Sequence, residues 1–196
     1  MIGYESLIRG GTPDAAYGAK DVFAQAKEQG NARALDRKIR DLQVQAGIPL
    51  LTTPQRLFLN LSPQALNDPT WHRINPFGKQ IVLEISEHAK VGGSDIAWLQ
   101  TFRAHGVHIA IDDFGVGRGN LQTIAALRPE YVKLDMSFVQ AHDFETVRRM
   151  RRLAEDWGTI LIVEGVESEY QASGVLDAGV RYIQGYYFGK PEAVSH

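Results

Sequence analysis

The stretch VHIAIDDFGVGRGNL, Val107 to Leu121, alternates apolar residues up to two adjacent aspartates, Asp112 and Asp113, and then meets three closely spaced glycines. The alternation predicts a strand, and the glycine run predicts the turn that ends it. Two carboxylates side by side repel each other, so this strand end calls for a compensating positive charge. The glycines do not make a dinucleotide loop. They read G-x-G-x-G, with the third glycine one residue early, although Asp135 stands 20 residues beyond Gly115 as a ribose acid would. The paired acids in front of the loop would also repel the pyrophosphate that such a loop attracts.

Outward from this stretch, six more apolar, β-rich segments follow the same plan: IGYESLIR, LFLNLS, QIVLEIS, YVKLD, TILIVEG and YIQGYY. Helical patterns separate most of them. Gly18 to Gly30 and Ala32 to Gly47 read as successive helices, and Gly93 to Gly106 carries Ile96, Leu99 and Phe102 at helical spacing. Ser168 with Gln171 makes a capping-box start for a helix running to Gly179. Strands alternating with helices imply a parallel sheet covered by its crossovers. An open doubly wound sheet and a closed (β/α)8 barrel both satisfy that pattern. The strand ends separate them: Asn60, Glu84, Asp112 with Asp113, Lys133 with Asp135, and Glu164 all close apolar runs on the C-terminal side. A barrel gathers such ends at one mouth, whereas an open sheet spreads them along an edge. The expected fold is the barrel, as one domain over residues 1–196.

The bulk composition narrows the function classes. With 44% hydrophobic and 22% charged residues the chain has a globular composition. Its 21 basic and 23 acidic side chains leave a net charge of −2, without the basic footprint of a duplex nucleic-acid binder. The absence of cysteine excludes disulfides, thiolate zinc sites and cysteine nucleophiles, and points to a cytoplasmic location. No apolar run approaches the roughly 20 residues of a membrane span, and no signal peptide is read at the start. The basic run RRMRR, Arg148 to Arg152, has Glu145, Glu155 and Asp156 a helical turn away and reads as a solvated face. His105 and His108 precede the strand body and belong to the end of the barrel opposite the mouth.

Hard divalent cations take carboxylate and amide oxygens, and a pair of them about 3.5–4 Å apart needs a bridging carboxylate with further ligands for each. Adjacent aspartates at a turning strand end suit that role. The ordered motifs GYESLIR, LNLSP, LEISE, IDDFG, KLD, VEGVE and QGYYFGKP resemble the signature of EAL-domain phosphodiesterases, which hydrolyse the bacterial second messenger cyclic di-GMP. The resemblance spans nearly the whole chain. It implies a (β/α)8 barrel with one antiparallel strand and two ions, Mg²⁺ or Mn²⁺. Glu5, Asn60, Glu84 and Asp112 would hold the first ion. Asp112 would bridge to the second, which Asp113 and Glu164 would hold, the latter directly or through water. Lys133 would stand beside the attacking water, Arg9 would pair with a substrate phosphate, Gln184 would lie near the last strand, and Glu87 would brace the loop after the twin aspartates.

Three positions depart from the family pattern. Val116, Arg118, Gly119 and Asn120 replace the threonine, tyrosine and two serines that follow the twin aspartates in the family. Met1 falls almost on the first recognisable strand, so the upstream helix and the antiparallel strand are expected to be absent. Gly10 stands where many members carry tryptophan. The intact acids favour a hydrolase; the altered loop favours the alternative, a weakly active cyclic di-GMP receptor or protein-interaction module. A homodimer and a sensory domain outside the chain are the expected further partners.

Overall fold

The computed structural model describes residues 1–11, 17–117 and 121–194. Strand β1 (Gly3–Glu5) is followed by a small antiparallel ladder of β2 (Arg9–Gly10) and β3 (Tyr17–Gly18) that stands apart from the main sheet. Helices α1 (Ala19–Glu28) and α2 (Ala32–Gly47) lead to β4 (Arg56–Asn60), and β5 (Ile81–Ser86) follows a run of 3₁₀ turns. The remainder alternates: α3 (Gly93–Arg103), β6 (His108–Phe114), α4 (Leu121–Leu127), β7 (Tyr131–Leu134), α5 (Ser137–Gln140), α6 (Phe144–Asp156), β8 (Ile160–Val163), α7 (Glu169–Asp177) and β9 (Tyr182–Ile183).

The seven strands β1, β4, β5, β6, β7, β8 and β9 form one all-parallel sheet whose spatial order is their chain order. Each crossover therefore steps one strand in the same direction, which is the rule that rolls a parallel sheet into a barrel. The sheet curls far enough that Gln184, just past β9, donates from Nε2 to Oε2 of Glu5 at the end of β1, 2.7 Å away. The backbones of β1 and β9 do not pair, so the fold is a (β/α) barrel of seven parallel strands left open at one seam. The antiparallel strand implied by the family resemblance has no counterpart among the described residues.

Strand periodicity divides the side chains into two sets. Leu57, Leu59, Ile81, Leu83, Ile109, Ile111, Val132, Leu134 and Val163 face the helices, where Leu99, Phe102, Val147 and Val175 meet them in one continuous core. Phe58, Val82, Ala110, Tyr131 and Ile162 point the other way and plug the barrel interior. Two residues further along the same strands, the inward position is Asn60, Glu84, Asp112, Lys133 and Glu164. An apolar plug thus floors a polar mouth, and the period of two in the sequence places it there.

The capping box forms as expected: Ser168 Oγ accepts from the Gln171 amide, and Gln171 Oε1 accepts from the Ser168 amide. Helix α3 ends at Arg103, three residues before Gly106, whose φ of +86° takes the chain into β6. The IGYESLIR segment is two short strands rather than one. On α6, Arg148 and Arg149 reach Glu145, and Arg151 reaches Glu155, which makes the basic run an ion-paired helix face. No helix among the described residues is long and apolar enough to cross a membrane.

Candidate active site

Lys133 stands at the centre of the mouth. The residue is 1% exposed, and Nζ lies 2.7 Å from Glu84 Oε1, 2.9 Å from Asp112 Oδ1, 2.9 Å from Glu164 Oε1 and 3.3 Å from Glu5 Oε2. Burial alone would drive the ammonium to lose its proton, but Glu84, Asp112, Glu164 and Glu5 outweigh it and hold Lys133 protonated well above its ordinary range. Glu5 is further tied by Gln184 and by Asn60, whose Nδ2 donates to Oε1 at 3.2 Å. Burial pushes Glu5 up, yet Lys133 and these hydrogen bonds bring it below the usual carboxylate value.

The twin aspartates answer the question their adjacency raises. In a regular strand they would face opposite sides. Here the β6–β7 register shifts between Ile111 and Phe114, and Asp113 takes a left-handed φ of +56°. The irregularity brings Asp113 round to the same side as Asp112, so that oxygens of Asp112, Asp113 and Glu164 lie within 4.8 Å of one another. Asp113 is raised above its ordinary pKa by burial and by the charges of Asp112 and Asp135. Glu164 is raised to about 7, by burial first and by Asp112 against the opposing pull of Lys133.

Glu87 follows β5 and is buried. Its Oε2 accepts from the Gly115 amide at 2.8 Å and its Oε1 from the Gly117 amide at 2.5 Å. The loop after the twin aspartates is thus held at its start through backbone amides, without the hydroxyls that the family places there. Glycine is required: a Cβ on Gly117 would stand 2.4 Å from Glu87 Oε1, and Gly115 has a φ of +102°. Val116 is exposed between them. Arg118, Gly119 and Asn120 lie outside the described residues.

Arg9 is exposed on β2, with Nη1 donating to the carbonyl of Ile8. It lines a cavity of about 400 Å³ that runs from Glu5, Asn60 and Glu84 to α1. Beside it the ring of Tyr17 covers Gly10, where a Cβ would lie 2.5 Å from Tyr17 Cε2. An aromatic ring therefore stands over the position where the family carries tryptophan, supplied from the facing strand of the small ladder. Nothing in the sequence marks Tyr17 for that place, because strands of two residues have no periodicity to read.

The donor set suits hard divalent cations. Four carboxylates, Glu5, Glu84, Asp112 and Glu164, converge on one ammonium, Asp113 lies beside Asp112 and Glu164, and Glu84 Oε2 is buried without a hydrogen-bond partner. Glu84 is pushed well above its ordinary pKa by burial, with Glu5 and Asp112 adding to it against Lys133. A pocket with this excess of oxygen acids and no sulfur is what Mg²⁺, Mn²⁺ or Ca²⁺ takes.

The family model described as EAL domain matches residues 1–191. The chain belongs to the EAL domain family. Among its EAL relatives, the probable cyclic di-GMP phosphodiesterase PdeD of Escherichia coli is 27% identical over 206 aligned residues, covering 97% of this chain and 38% of PdeD. The chain spans about two fifths or less of such curated relatives. The EAL-domain protein YkuI of Bacillus subtilis, solved with cyclic di-GMP and calcium, superposes with a TM-score of 0.81 at 24% identity, over 97% of this chain and 52% of YkuI. BlrP1 of Klebsiella pneumoniae, solved as a manganese and cyclic di-GMP complex, gives 0.79 at 24% identity, over 96% of this chain and 51% of BlrP1. Both place the fold with the EAL barrels.

Proposed function

We propose that this EAL domain hydrolyses cyclic di-GMP to linear pGpG with the help of two divalent cations, Mg²⁺ or Mn²⁺. The observation that carries the reading is the convergence of four carboxylates on Lys133, with Asp113 beside Asp112 and Glu164, at a mouth floored by apolar side chains. Glu5, Asn60, Glu84 and Asp112 would hold the first cation; Asp112, Asp113 and Glu164 would hold the second. When bound, the cations supply acidity to an attacking water and neutralise charge that builds on the phosphate.

The chain's own groups do the rest. Lys133 holds four carboxylates in place and presents a fixed positive charge toward the reacting phosphate. Glu164, 2.9 Å from Lys133 and grouped with Asp112 and Asp113, would orient the attacking water beside the second cation. Arg9 offers a forked donor to a phosphate oxygen. Glu87 keeps the Gly115 to Gly117 turn, and with it Asp113, in position. One P–O bond forms to the water oxygen while the bond from phosphorus to the ribose 3′ oxygen breaks. The water proton ends on that 3′ oxygen, which leaves a 5′ phosphate on the linear product.

The test is incubation with cyclic di-GMP and Mg²⁺ or Mn²⁺, with the product followed by chromatography. Accumulation of pGpG supports the hydrolase; tight binding without product supports the receptor.

A further inference from the structure

The turn that follows the twin aspartates has an aromatic ring against each end. At its start, a Cβ on Gly115 would stand 2.7 Å from Cε2 of Phe138, so a ring of α5 covers that glycine closely. At its end, a Cβ on Gly117 would stand 2.7 Å from Cε1 and 3.1 Å from Nδ1 of His88, so the imidazole takes the space that a side chain there would need. His88 directly follows Glu87, and its backbone amide donates to Ser86 Oγ at 3.3 Å. The Glu87 amide donates to the Asp112 carbonyl at 2.9 Å. The segment that carries both side chains is thus fixed to the strand that carries the aspartates. His88 Nδ1 lies 3.9 Å from Glu87 Oε1, the oxygen that accepts from the Gly117 amide. That distance is beyond a hydrogen bond, so His88 meets the turn by packing rather than as a donor. Its side chain is 61% exposed, so it adds little to the core.

Asp113 takes its left-handed φ of +56° two residues before Gly115, and its place depends on where this turn sits. Taking the two-cation reading as given, we propose that His88 is a positioning residue for the second cation: its ring holds Gly117 against Glu87, and so keeps Asp113 turned toward Asp112 and Glu164. The ring does by packing, on the turn where the family's hydroxyls are missing, what those hydroxyls would do by hydrogen bonding. Without it, water reaches the Gly117 amide and competes with Glu87 for it. The first cation draws Glu5, Asn60 and Glu84 from other strands, so it does not need the turn.

The test is calorimetric titration of the metal-free protein with Mn²⁺, in His88→Ala, His88→Phe and His88→Asn, and in Glu87→Gln with and without His88→Ala. His88→Ala should weaken the second ion about tenfold and keep the first. The melting temperature of the metal-free protein should hardly move, as for any exposed side chain. His88→Phe, which keeps a ring, should retain both ions, whereas His88→Asn, which keeps a polar group without the ring, should behave as His88→Ala. Adding His88→Ala to Glu87→Gln should cost little more than Glu87→Gln alone, because both act on one turn. Unchanged uptake of the second ion by His88→Ala overturns the role of His88, and so does an equal loss of both ions. Rescue by His88→Asn but not by His88→Phe, or additive losses in the double variant, overturns it as well. Uptake of fewer than two ions by the unmodified chain overturns the two-cation reading and the role of His88 together.

Discussion

The two ends of the barrel handle charge in opposite ways. At the base, Glu130 is the acid of a balanced group: its Oε2 accepts from the Ile109 amide at 2.7 Å and from Arg103 at 3.1 Å, and Arg103 also reaches the Arg128 carbonyl. At the mouth, four carboxylates share one ammonium with Asp113 beside them, and a buried oxygen of Glu84 has no hydrogen-bond partner. The strands are the same at both ends, so the difference is not a property of the fold. At the base one acid faces one guanidinium, so the charge is balanced even though Arg103 Nε is also buried without a hydrogen-bond partner. The charges at the mouth are placed at a cost that the folded chain alone does not recover. An imbalance of this kind marks a site that something else completes.

The comparison predicts where substitutions act, and the largest effect is at the mouth. Asp112→Asn should lower turnover of cyclic di-GMP by at least about 1,000-fold, with the melting temperature of the metal-free protein kept or raised because a repelling charge is gone. Lys133→Met should be the most destabilising change, by about 3 kcal/mol in the metal-free state, because it strands buried carboxylates around an apolar chain. Urea unfolding measures this, and Mn²⁺ should recover part of the loss. Glu87→Gln should reduce kcat about 10- to 100-fold, since a neutral amide oxygen accepts more weakly and cannot take both loop amides as the carboxylate does.

At the base, Arg103→Ala should cost about 1 kcal/mol of stability and leave turnover unchanged. A loss of turnover there would break the contrast between the two ends. The smallest effect concerns His108, whose Nδ1 is buried without a hydrogen-bond partner. Burial, and then Arg56, hold its pKa below the ordinary value, with Arg103 adding to this and Glu130 opposing it. The unfolded chain therefore takes up the proton first as pH falls. The stability that neutral His108 contributes is fully present above its unfolded value of about 6.5 and is lost as pH drops toward the folded value. His108→Gln should flatten melting temperature against pH between 7 and 5.

Much of the mouth is legible in the sequence because it rests on periodicity. Asn60, Glu84, Asp112, Lys133 and Glu164 each follow an inward apolar residue by two positions, and a parallel sheet in chain order brings them to one end. The capping box at Ser168 and the paired arginines of α6 are equally local and equally readable. What escapes the sequence depends on irregular backbone or distant approach. Aspartate tolerates the left-handed φ seen at Asp113 but does not announce it, and the ion pair of Lys133 with Glu5 joins residues 128 apart. The bracing of the loop by Glu87 could be named from motif resemblance. Its means could not, because it runs through backbone amides rather than the missing hydroxyls. Tyr17 over Gly10 was invisible for the same reason: a ladder of two-residue strands has no periodicity to read.

The most direct measurement is a calorimetric titration of the metal-free chain with Mn²⁺, alongside Asp112→Asn and Asp113→Asn. If the surplus of carboxylates at the mouth exists to hold two cations with Asp112 between them, the unmodified chain takes up two ions. Asp112→Asn then weakens both, while Asp113→Asn keeps the first. Equal Mn²⁺ uptake by the unmodified chain and Asp112→Asn would contradict the assignment of the mouth as a two-cation site.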